Sequence, residues 1–133
     1  MADDVTAVRV LVVDDQAPFR LAARAVVSRT AGFEHVGEAE TGEAAVDVAK
    51  ELRPDLVLMD INMPGIDGLE ATRQVMAAVP DTVVFLCSTY AREDLPDDAV
   101  STGATAYINK EELGPGVLRD LWDRRQEAEG SLL

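Results

Sequence analysis

Leu56-Val57-Leu58-Met59-Asp60-Ile61-Asn62-Met63-Pro64-Gly65-Ile66-Asp67-Gly68 is the stretch on which the fold turns. Its apolar opening, bounded by Arg53-Pro54 before it and Pro64-Gly65 after it, predicts a short strand buried on both faces. The run stops at a carboxylate, Asp60. Pro64-Gly65 marks a turn. Asp67 then caps a helix, with Glu70 three residues on as its capping-box partner. A doubly buried strand that feeds a helix is the building unit of a parallel α/β sheet.

Toward the N-terminus the same alternation repeats. Val8 to Val13 is a β-branched run, followed by a helical stretch with Pro18 in its first turn. Phe19, Ala22, Ala23 and Val26 fall at helical spacing there. His35 to Ala39 alternates and predicts a thinner, edge-type strand. Thr41 caps a second helix bearing Ala45, Val48, Ala49 and Leu52, which Arg53-Pro54 ends. Toward the C-terminus, Val83 to Cys87 is a fourth strand. Glu93 to Ser101 is helical but weakened by Pro96, so this helix is expected to start at Pro96, with Asp97 and Asp98 in its first turn. Ala104 to Ile108 is a fifth strand. Pro115 to Gln126 is the last helix, with Val117, Leu118, Leu121 and Trp122 on one face. These β/α units predict an α/β fold: a doubly wound, five-stranded parallel sheet in the order 2-1-3-4-5. One domain over residues 8–126 is expected, with flexible ends at 1–7 and 127–133.

Composition narrows the function. The 133 residues carry a formal net charge of −13, with 47% hydrophobic residues. A core is available, and the acidic balance argues against direct nucleic-acid binding, which needs clustered Lys and Arg. Met1-Ala2-Asp3-Asp4 has no apolar segment of a secretory signal, and no run approaches the ~20 residues of a membrane span. A cytoplasmic location without membrane contact is the expectation. Cys87, the single cysteine, lies in an apolar run and reads as a small buried hydrophobe.

In such sheets ligands bind beyond the carboxyl ends of the strands, where strand order reverses. Strand one ends in Asp14-Asp15, and strand three in Asp60 with Asn62 two residues on. Strand four runs into Ser88-Thr89, and strand five into Lys110. Clustered carboxylates repel and call for a cation, and hard oxygen donors suit Mg²⁺. The cation would neutralise an incoming phosphoryl group and leave one carboxylate as nucleophile. Lys110 offers a point charge to phosphoryl oxygens, and Ser88 a hydroxyl that can follow the group once attached.

Three blocks carry a resemblance: Val12-Val13-Asp14-Asp15, the stretch Leu58 to Gly68, and Gly103-Ala104-Thr105-Ala106-Tyr107-Ile108-Asn109-Lys110. Together they resemble the signature blocks of response-regulator receiver domains, over about residues 8–126. The resemblance implies a flavodoxin-like three-layer sandwich. It also implies a two-component switch that takes a phosphoryl group from a sensor histidine kinase or phosphotransfer protein. Asp60 matches the phosphoacceptor. Asp15, Asp60 and the Asn62 backbone match the Mg²⁺ ligands, with Asp14 acting through water. Lys110 matches the phosphoryl-contacting lysine, Ser88 the switch hydroxyl and Tyr107 the switch aromatic. Counting back from Lys110 without gaps favours Ser88 over Thr89; Thr89 and Tyr90 are candidate modulators. After phosphorylation Ser88 is expected to move and Tyr107 to enter the vacated space. That repacks the surface of the fourth helix, fifth strand and fifth helix (92–108 and 115–126) for a partner protein or a second copy. Thr89, where Ala or Gly is frequent, and Pro96, where the family's fourth helix usually runs, depart from the pattern.

Rival readings differ at single residues. Phosphatases with a strand-end Asp nucleophile need an acid two residues later, and Asn62 cannot transfer a proton. A non-enzymatic switch with slow autodephosphorylation is expected. A nucleotide module would place Gly, Ser or Thr where Asp14-Asp15 stands. A stand-alone receiver is favoured over the alternative, the N-terminal receiver fragment of a DNA-binding transcriptional regulator. His35 reads as a surface or edge residue, Trp122 as core packing, and the acidic run Glu93 to Asp98 as a solvated face.

Overall fold

The computed structural model describes residues 7–126. Of the expected flexible ends at 1–7 and 127–133, all but Ala7 lie outside the described residues. The chain folds as β1 (Val8–Val13), α1 (Ala17–Arg29), β2 (Phe33–Ala39), α2 (Gly42–Leu52), β3 (Leu56–Asp60), α3 (Gly68–Ala78), β4 (Val83–Ser88), β5 (Ala106–Asn109) and α4 (Pro115–Arg124). The strands form one five-stranded parallel sheet in the order β2-β1-β3-β4-β5.

The period of two along each strand divides the core between the two faces. Leu11, Val13, Val57, Met59, Val84, Leu86 and Tyr107 pack in one layer with apolar residues of α2 and α3. Val10, Val12, Leu58, Phe85, Cys87 and Ile108 pack in the other with Ala23 and Val27 of α1 and Leu118 and Leu121 of α4. The interior strands are thus apolar on both sides, as helix-covered parallel strands are.

Local rules hold at the helix starts. The Thr41 hydroxyl accepts from the Ala44 N–H at 3.0 Å, and Asp67 Oδ1 accepts from the Glu70 N–H at 2.9 Å. Glu70 does not return the bond: its carboxylate takes Arg73 and Gln74 instead. The buried stripe of α1 runs through Ala23 and Val27, and Ala22 is exposed. β2 begins at Phe33, before the expected His35, and β5 runs 106–109 rather than 104–108; α4 ends at Arg124.

The largest departure lies between β4 and β5. The expected helix over 93–101 is two 3-10 turns, Arg92–Asp94 and Asp97–Thr102. Leu95 and Pro96 between them are extended, with ψ 141° and 142°. A residue before proline avoids the helical region, and Pro96 has no N–H to continue the ladder. Asp97 and Asp98 do open the second turn, as expected, but it never widens into an α-helix.

Candidate functional site

Because the strands are parallel, β1, β3, β4 and β5 bring their last residues to one edge. The edge lies where chain order leaves β1 in opposite directions, toward β2 and toward β3. A cleft of about 180 Å³ opens there, lined by Asp15, Gln16, Asp60, Asn62, Ser88, Thr89 and Lys110. Carboxylate oxygens of Asp14, Asp15 and Asp60 lie within 4.8 Å of one another. The structure therefore brings together the polar residues that the sequence placed at separate strand ends.

Asp14 is fully buried and Asp60 is 4% exposed. Lys110 Nζ bridges them, at 2.6 Å from Asp14 Oδ2 and 3.3 Å from Asp60 Oδ1. Burial, with the charge of Asp14 beside it, raises the Asp60 carboxyl from its ordinary 3.8 to about 6; Lys110 only partly offsets this. Burial alone would depress the Lys110 ammonium, but Asp14 and Asp60 outweigh it and its net displacement is upward. Asp60 is thus a carboxylate short of positive charge, and a cation in the cleft would relieve it.

The remaining predicted residues fall as follows. Ser88 is buried and Thr89 exposed, both on the cleft. Asn62 is exposed, and its Oδ1 accepts from the Tyr90 hydroxyl at 3.3 Å, joining the loops after β3 and β4. Cys87 pairs in register with Asp60 and is inert: burial pushes its thiol up to about 12. His35 stands on β2, outside the cleft, with Nε2 3.2 Å from Glu38. Trp122 flanks the core, edge-on to Phe33. In the acidic run, Asp98 pairs with Arg73 at 2.7 Å.

Tyr107 differs from expectation. Its ring already sits inside the protein, 2% exposed, with its hydroxyl 2.5 Å from the Tyr90 carbonyl and 3.0 Å from that of Ser88. No inward swing is left for it to make, so movement of Ser88 would be felt through this hydrogen bond. Asn109 Nδ2 also donates to the Tyr90 carbonyl, at 3.0 Å, so phenol and amide together hold the loop at Tyr90 to the end of β5. Tyr107→Phe is expected to cost about 1 kcal/mol in urea unfolding and to speed amide exchange in residues 88–94. A loss of only a few tenths, with exchange unchanged, would contradict this linkage.

Sequence reasoning missed several supports. Arg20 Nη1 donates to the Asp14 carbonyl at 2.8 Å while its Nε pairs with Glu38 at 3.1 Å. The Gln16 N–H donates to Asp14 Oδ1 at 2.8 Å. Glu43 accepts from the Ile66 N–H at 3.2 Å and ties the loop after β3 to α2. The Phe19 ring lies under the Lys110 ammonium, 4.4 Å from Nζ to centroid.

Comparison with known proteins decides the family. The model of the response regulator receiver domain matches residues 10–121. The chain belongs to this family. It is 39% identical over 113 residues to the chemotaxis protein CheY of Listeria monocytogenes, covering 85% of this chain and 94% of that one. It is 40% identical over 103 residues to the response regulator GacA of Pseudomonas viridiflava, covering 77% of this chain and 48% of GacA. The chain thus spans about half the length of GacA. The signal receiver domain of the response regulator NarL from Mycobacterium tuberculosis superposes with a TM-score of 0.81 at 30% identity, over 91% of this chain and 98% of that domain. The receiver domain is the phosphorylation switch of two-component response regulators, and the sheet order and acidic strand-end cleft here are those of such a domain. No described helix is long and apolar enough to cross a membrane.

Proposed function

We propose that Asp60 is the phosphoacceptor of this receiver domain and that Mg²⁺ is its cofactor. The observation that carries the reading is the cleft itself: three carboxylates converge within 4.8 Å, and one of them, Asp60, is held short of positive charge beside Lys110. The donor set fits the cation, being hard oxygen with an open side toward solvent at Asp15. Asp15, Asp60 and the Asn62 backbone would hold it, with Asp14 acting through water. When bound, Mg²⁺ supplies charge neutralisation for the carboxylates and for the incoming phosphoryl oxygens.

The chain's own residues do the rest. An Asp60 oxygen forms the new O–P bond as the bond from phosphorus to the donor group breaks, and the leaving group keeps that electron pair. Lys110 offers its ammonium to the phosphoryl oxygens, and Ser88 its hydroxyl. Asn62, two residues after Asp60, has no proton to give or take at neutral pH, so the acyl phosphate is hydrolysed slowly and the domain acts as a switch rather than an enzyme. The donor is a sensor histidine kinase or a phosphotransfer protein, and the setting is cytoplasmic.

Output runs through the segment from Ser88 to Ile108 and through α4. Tyr107 links Ser88 to the loop at Tyr90 there, and a second cleft of about 330 Å³, lined by Arg92, Tyr107, Asn109 and Glu112 among others, lies on that side. A partner protein or a second copy of the chain would read the change. The match to about half of GacA's length favours a second setting for the same switch: a receiver within a larger regulator.

The test is a small acyl phosphate with and without Mg²⁺. One phosphoryl group per chain is expected with the cation and none with a chelator present. Lys110→Ala is expected to accept the group yet leave hydrogen exchange over 88–108 largely unchanged. Stoichiometric labelling in the presence of chelator would overturn the cofactor assignment.

A further inference from the structure

Lys110 enters the cleft from the turn after β5, and its side chain is 16% exposed. Two of its neighbours are the Asp14 and Asp60 oxygens. The third is neutral: the ring of Phe19, whose centroid lies 4.4 Å from Nζ. Phe19 stands in the first turn of α1, its N–H bonded to the Gln16 carbonyl at 3.1 Å, and is partly buried against the core layer shared with α4. An ammonium over an aromatic face is attracted by the ring quadrupole, more strongly where water is excluded.

We infer that Phe19 is a positioning residue for Lys110, its ring face holding the ammonium at the cleft while the carboxylate contacts are exchanged. This rests on the phosphoryl-accepting reading above. Neither carboxylate contact is indifferent to that reaction. A cation in the cleft competes with Lys110 for the charge of Asp14, and a phosphoryl group on Asp60 replaces a carboxylate oxygen by phosphoryl oxygens. An aromatic face takes no proton and is no ligand for a hard divalent cation. Neither event changes the charge or the ligation of the Phe19 ring itself. An aliphatic side chain would fill the same volume without the attraction, and an acid there would compete for the ammonium.

The experiment uses the full chain with beryllofluoride and Mg²⁺ as the probe. Phe19 is replaced by mono-, di- and trifluorinated phenylalanine, which keep the ring's shape while draining negative charge from its face. Affinity is expected to fall stepwise, by about three- to tenfold over the series. Phe19→Leu is expected to fall as far as the trifluorinated ring, and the series is expected to be flat in a Lys110→Ala background. In the metal-free chain, the Lys110 methylene protons next to Nζ are expected upfield by ring current, and back at ordinary shifts in Phe19→Leu. A flat series in a chain that binds beryllofluoride overturns the inference alone. Failure of the unmodified chain to bind beryllofluoride or accept a phosphoryl group overturns the reading of the site, and this inference with it.

Discussion

Asp60→Asn is expected to do two opposite things: abolish phosphoryl acceptance and stabilise the metal-free protein. The first follows from removing the nucleophile with little change in volume. The second follows from the raised Asp60 carboxyl, at about 6 in the folded chain against 3.8 ordinarily. Between those values the folded state binds more protons than the unfolded one, so stability falls as pH rises. The favourable contribution of the neutral carboxyl is fully present below pH 3.8 and lost as pH passes about 6. At pH 7 the metal-free wild type therefore carries a penalty on the order of 3 kcal/mol that a neutral Asn does not. Urea unfolding in chelator is expected to show the variant more stable at pH 7, with the gap narrowing toward pH 4. Adding Mg²⁺ is expected to close the gap from the other side, because a ligand that binds only the folded wild type stabilises it. A variant less stable than wild type in chelator at pH 7 would contradict the electrostatic account.

Gly68→Ala is expected to be as damaging as a change at the nucleophile, although Gly68 has no side chain in the cleft. A Cβ there would penetrate the Asp60 carbonyl oxygen and stand 2.8 Å from both the Asp60 carbonyl carbon and Ile61 Cα. These are backbone atoms of the strand end and cannot rotate away. The Gly68 N–H also donates to the Ile61 carbonyl at 2.8 Å, so the contact is locked from both sides. Overpacking against backbone is expected to cost about 3 kcal/mol. Any folded fraction has Asp60 displaced, and a displacement near 1 Å is expected to slow phosphorylation about a hundredfold. Thermal unfolding and a time course of labelling read the two effects. Wild-type stability with a wild-type rate would show that Gly68 does not set the position of Asp60.

Elements governed by local rules were legible in the sequence. Thr41 and Asp67 cap as their residue types dictate, and the central strand stops at Asp60 because a charge ends the apolar run. The convergence of Asp14, Asp15, Asp60 and Lys110 was legible once the strands were parallel, since topology alone brings their ends to one edge. Contacts set by how a helix docks were not. Phe19 carries the apolar periodicity of α1, and nothing in that spacing says its ring meets an ammonium from β5. Arg20 is adjacent to it, and nothing in its position along the helix says that docking turns it onto the Asp14 carbonyl. Pro96 signalled a weakened helix, but whether the segment would recover as α or 3-10 depends on packing against α3. Tyr107 sits inward because the period-two pattern of β5 directs it there, in the layer of α2 and α3.

The central claim is that one carboxylate of three in a shared cleft takes the phosphoryl group. The direct measurement is to label the chain with a small acyl phosphate and Mg²⁺, reduce the acyl phosphate with borohydride, and locate the reduced residue by peptide mass spectrometry. The account predicts one modified residue per chain, at Asp60. Reduction at Asp14 or Asp15, or at no residue under saturating donor and Mg²⁺, would contradict it.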